Sequence, residues 1–206
     1  TSGGAGAAAA WEDAAGGGAW TFLQKQTASS DSSISFSSTY ITDTYPVYKI
    51  ICNAIRLDGD SRQCAWDLSV DNGSNYLTDY DQFQSQYQSN MGETTQTNKA
   101  RYALDTSGST QGANFPMKFL GGLGNSMGND TGEGGVCEAT FWNLRDTTMY
   151  KICGFWSCMY MENVYLGDNH GFGGTRTVTA INNIRISASA GNIATGTFTL
   201  YGLKDS

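Results

Sequence analysis

Asn192-Ile193-Ala194-Thr195-Gly196-Thr197-Phe198-Thr199-Leu200-Tyr201-Gly202-Leu203-Lys204 reads as a polar turn feeding an alternating strand. Phe198, Leu200 and Gly202 fall on one face and Thr197, Thr199 and Tyr201 on the other, the period-two pattern of a strand half-buried in a sheet. Working back from it, residues 178–188 read as its hairpin partner, which adds Ile184 and Ile186 to Phe198 and Leu200 as the core of the closing hairpin.

The same periodicity recurs upstream. Trp20-Thr21-Phe22-Leu23 and Ser33-Ile34-Ser35-Phe36 read as the first two strands, followed by residues 48–55 and 65–70. Residues 136–142 and 150–160 read as central strands joined by a turn over 143–148, and residues 115–120 have strand character. The glycine-rich run 168–175 reads as a loop, as do long segments at about 89–113 and 121–135. Tyr102-Ala103-Leu104 would add a short strand. Tyr76, Tyr80, Phe83 and Tyr87 stand three or four apart, so a short amphipathic helix is the alternative there. Eight to ten strands exceed one small sheet, and the expected fold is all-β: a two-sheet antiparallel sandwich, jelly-roll-like.

Composition agrees. The chain has 206 residues, 39% of them apolar, enough for one domain with its own core. Its 26 glycines against 2 prolines, with many Ser, Thr, Asn and Tyr, favour strands and tight turns. A net charge of -7, with Lys and Arg scattered singly, opposes binding to a phosphate backbone, so no nucleic-acid partner is expected. No charged start precedes an apolar run and no stretch of eighteen apolar residues occurs, so the expectation is a soluble piece without membrane insertion.

Residues 1–19 are Gly/Ala-rich and too poor in large apolar groups to fold alone, so the domain is placed at 20–206 and the start reads as an arm. The arm is either a tail or linker, or a tether whose Trp11 packs on a neighbouring subunit. Five cysteines, an odd number, read as buried free thiols, with one or two disulfides or a metal site as alternatives. Asp58-Gly59-Asp60 lacks the ligand series of a calcium loop and reads as a turn, as does Asn72-Gly73-Ser74.

Chemistry-bearing residues are sparse. His170, the only histidine, excludes a His-rich metal centre and leaves a serine triad without support. A glycosidase needs two carboxylates about 5–10 Å apart; Asp67, Glu133, Glu138 and Glu162 are candidates, and no spacing selects a pair. Tyr76, Tyr80, Phe83 and Tyr87 could stack on sugar rings, or pack on the sandwich or between subunits. With Trp11 and His170 they form the set of possible ligand or subunit contacts. No catalytic residue, metal or cofactor is expected.

Residues 180–203, with Trp20-Thr21-Phe22, the segment 45–55 and Leu68-Ser69-Val70-Asp71-Asn72-Gly73, resemble virion structural proteins of tailed bacteriophages, of the fibre, tail or capsid-associated type. The region 84–135 departs from that pattern, and no catalytic residue carries over. The resemblance implies a noncatalytic component of the virion, its β-sandwich attached to other virion proteins through the N-terminal arm, in a homo-oligomer with a trimer favoured. A receptor-binding or carbohydrate-binding module contacting a host-surface glycan is the alternative, and a carboxylate-based glycan hydrolase the third.

Overall fold

The structure is a computed structural model and describes residues 20–78, 80–90, 97–101, 117–120, 127–161 and 165–204, with side chains for 20–78, 80, 119, 127–161 and 166–204. The arm with Trp11, the segment Tyr102-Ala103-Leu104 and Glu162 lie outside these residues, as do the side chains of Phe83 and Tyr87.

Among the described residues twelve strands are formed: β1 (Trp20–Asp31), β2 (Ser33–Phe36), β3 (Val47–Leu57), β4 (Cys64–Ser69), β5 (Asp81–Asn90), β6 (Thr97–Arg101), β7 (Met117–Leu120), β8 (Gly135–Trp142), β9 (Lys151–Met161), β10 (Tyr165–Thr175), β11 (Asn183–Ala188) and β12 (Ile193–Leu203). They make an eight-stranded sheet in the order β1-β12-β3-β8-β9-β10-β5-β6 and a four-stranded sheet in the order β2-β11-β4-β7. Every pairing is antiparallel. No helix among the described residues is long and apolar enough to cross a membrane.

With the hairpin pairs β5–β6 and β9–β10 set aside, the other eight strands pair in a nested way: β1 with β12, β2 with β11, β3 with β8 and β4 with β7. This is one long antiparallel hairpin rolled up so that successive pairs alternate between two sheets, which is a jelly roll. The two extra pairs extend the larger sheet beyond β8, because β9 pairs with β8 and β10 joins β9 to β5.

Alternation sets the core. In β12, Phe198 and Leu200 are fully buried, as are Ile184 and Ile186 in β11. These two strands do not form a hairpin, contrary to the sequence reading: β11 lies between β2 and β4 and β12 between β1 and β3, so their apolar faces meet across the sandwich. Trp66 stacks on Phe119 at 3.7 Å and meets Phe141 and Phe155 edge-on at 5.5 and 6.3 Å, joining the two layers.

Three further expectations are corrected. Residues 168–175 are not a loop but part of β10, whose backbone bonds to β9 and β5 on both sides and so tolerates the glycines. The helical alternative at 76–87 gives way to β5, and the expected loop at 89–113 contains the end of β5 and all of β6. The cysteines are as expected: all five are free, four of them buried and Cys158 partly so, and burial pushes the thiols up, Cys64 to about 12.

Candidate functional site

The inner face of the eight-stranded sheet covers the core, and its outer face meets no second layer among the described residues. That outer face is nevertheless aromatic. Trp20, Phe22, Ile51, Trp142, Ile152, Trp156 and Phe172 project from it, each more than a third exposed and Phe172 61% exposed. Strand register puts them together: Val47 is opposite Trp142, Trp142 opposite Ile152, and Glu138 opposite Trp156. Gly154, opposite Phe172, lies beneath the rings of Trp142 and Phe172; a Cβ there would stand 3.2 and 3.3 Å from them, so its absence lets both rings lie over β9.

Most of these residues crowd one end of the sheet, while Ile51 and Trp156 lie midway along their strands, and Tyr160 and Leu166, each 38% exposed, continue the apolar face to the other end. Trp20 pairs with Leu203 and Thr175 with Lys151, so Trp20, Trp142 and Ile152 sit at the end where β1 begins. The exposed Met149 and Tyr150, in the β8–β9 connection, and Val178, after β10, lie at that end too. A few polar groups punctuate the patch. Lys49 pairs with Glu138 at 2.6 Å, its Nζ 4.9 Å from the Trp20 ring centroid. His170 stands on β10, half-exposed, its Nε2 2.8 Å from an Asp168 oxygen and its ring 6.5 Å from Trp156.

The opposite end of the same face is built differently. In β3 a bulge lies between Cys52 and Ile55, with Ala54 at φ +52°. It exposes Asn53 and Ala54 in succession before Ile55 returns to the core. Two glycines flank it: a Cβ on Gly134 would stand 2.8 Å from the Ile55 carbonyl oxygen, and one on Gly196 3.2 Å from the Ile55 Cα. The bulge opens a groove of about 450 Å³ whose walls include Asn53, Arg56, Gly132–Gly135, Val136, Tyr160, Leu166 and Thr195. Arg56 forms no ion pair among the described residues. The Glu133 carboxylate is turned onto its own loop, where it accepts the Asp130 N–H at 2.8 Å.

The residues singled out from sequence do not converge. Tyr80 is buried, and its hydroxyl accepts the Leu68 N–H at 2.7 Å, so its ring belongs to the core. Tyr76 lies against the other sheet, with the Arg185 guanidinium 3.6 Å from its ring centroid. Asp67 projects from the outer face of the four-stranded sheet and Glu138 from the outer face of the eight-stranded one, so two packed layers separate this carboxylate pair. Asp58 pairs with Arg62, and Asp60 accepts the Asn129 N–H at 2.8 Å, which makes that run a turn. No group of three metal-ligating side chains occurs among the described residues.

The aromatic end of the sheet was missed in the sequence. Its signal was present in β9, where Ile152, Trp156 and Tyr160 alternate with Cys153, Phe155 and Met159, so both faces are apolar. Compared with protein-family models, with curated proteins and with solved structures, the chain matches none of them.

Proposed function

We propose that this chain is a noncatalytic structural subunit of a tailed-bacteriophage particle, a homo-oligomer with a trimer favoured, attached through its N-terminal arm. The observation that carries the assembly is the apolar outer face of the large sheet, most crowded with rings at the end where β1 begins. It crosses six adjacent strands, about 24 Å at the usual strand spacing. Scattered surface hydrophobics need no explanation, whereas a contiguous aromatic patch of this kind is the surface a subunit buries against its neighbours. β1 begins at the same end, so a tether joined to Trp20 would act where the subunits associate. The phage assignment is supported by the resemblance of the two ends of the sequence.

Light scattering on the purified chain tests the assembly. The expected mass is a multiple of the 22.1 kDa monomer, and Phe22→Asp with Phe172→Asp should reduce it to one monomer without lowering Tm. A wild-type chain that stays monomeric at tens of micromolar would overturn the reading.

A second reading, host-surface binding, is favoured by the groove at the bulge, which is concave, part aromatic and part polar and lies away from the apolar end.

A further inference from the structure

We infer that the groove at the β3 bulge is a binding site for an acidic saccharide, a pyranose ring bearing a carboxylate. It stands whether or not the apolar end assembles. The volume, about 450 Å³, is that of a site for a small ligand. Its floor is apolar where Val136 and Leu166 project, and the partly exposed Tyr160 ring offers the flat face on which a sugar's C–H surface stacks. The walls carry what hydroxyls need: the exposed Asn53 amide and the backbone of Gly132, which holds a φ of +93°, whereas the Glu133 N–H and the Gly134 carbonyl are already bonded to Asp130 and Tyr160.

Charge selects the class. Arg56 lines the groove with its guanidinium unpaired among the described residues, and a planar fork of donors matches a carboxylate. Among the described residues Glu133 is the carboxylate in the walls; it accepts the Asp130 N–H of its own turn and forms no ion pair with Arg56. The bulge shapes the site: it brings both Asn53 and Arg56 to the groove, and Gly134 and Gly196, lacking a Cβ, let the neighbouring strands close on Ile55.

Amide chemical-shift mapping tests the assignment, with a hyaluronan tetrasaccharide as the acidic probe, chitotetraose as the neutral one and sodium acetate as the bare carboxylate. Saturable shifts at Asn53 and Gly132–Gly135 with the acidic probe are expected, weakened at least tenfold by Arg56→Gln and by Tyr160→Ala. Lys25→Gln, a cation elsewhere on the face, should leave the affinity unchanged. Absence of shifts at these amides would overturn the site. Equal affinity for chitotetraose would overturn the acidic class, equal shifts with acetate would overturn the saccharide, and an equal loss in Lys25→Gln would show attraction by overall charge alone.

Discussion

Asp67 and Asp71 stand four residues apart and meet opposite environments. Burial pushes the Asp67 carboxyl up, while Arg185, donating from Nε and Nη2 at 2.9 and 2.8 Å to one of its oxygens, pulls it down. Arg185→Met should therefore cost about 3–5 kcal/mol at neutral pH, because it leaves a carboxylate buried without a countercharge. Lys49→Met, at the more exposed pair with Glu138, should cost under about 1 kcal/mol. Urea unfolding checks both, and the Arg185→Met penalty should shrink in acid, where Asp67 protonates and needs no partner. Asp71, in the turn after β4, accepts the Asn75 side-chain and backbone N–H groups and the Ser69 hydroxyl, which hold it at about 2. A carboxyl lowered on folding stabilises the native state above its unfolded value of 3.8 and loses that contribution as pH falls to about 2. A carbon-13 titration of Asp71 should find its midpoint near 2, and a midpoint near 4 would contradict the turn geometry.

Among the elements, the bulge in β3 has the clearest energetic signature. Gly134→Ala should cost about 1–3 kcal/mol, since a Cβ would meet the Ile55 carbonyl and the residue holds a φ of +153°. Ala54→Gly should be neutral or stabilising by up to about 1 kcal/mol, because it relieves a left-handed alanine at φ +52°. Chemical denaturation should find the first variant destabilised and the second not. Nothing in Cys52-Asn53-Ala54-Ile55 announces a bulge, since its positive φ falls on alanine, and the groove was illegible for that reason. By contrast the core face of β12 was legible, because strict alternation of Phe198 and Leu200 with threonines has one sheet solution, although the strand begins at Ile193, inside the run read as a turn, and pairs with β1 and β3 instead of β11. β10 was misread for a related cause: Gly167, Gly171, Gly173 and Gly174 carry no side-chain period, and only the neighbours β9 and β5 decide their conformation. Of the four rings read together from Tyr76 to Tyr87, with packing on the sandwich as one reading, Tyr80 enters the core and Tyr76 lies under Arg185.

The whole molecule has two ends of different character along one sheet face. From Ile152 to Tyr160 on β9 the face runs about 26 Å at the usual rise per residue, crowded with large rings where the chain enters β1 and opened into a groove edged by Asn53 and Arg56 at the far end. A polarised body of this kind suits association at one end and contact with small ligands at the other. The all-β architecture followed from pattern and composition, whereas this polarity depends on which strands become neighbours, and that is decided by pairings between distant parts of the chain. The nested pairing also governs how the protein is made. Because β12 lies between β1 and β3, a chain emerging from the ribosome holds β1 without its partner until the last strand arrives. The larger sheet therefore closes only after synthesis of β12, in a slow step dominated by long-range contacts. Until then, the exposed edges of β1 and β3 are templates for pairing with other nascent chains, so crowded polysomes would be the place where this protein is most exposed to misassembly.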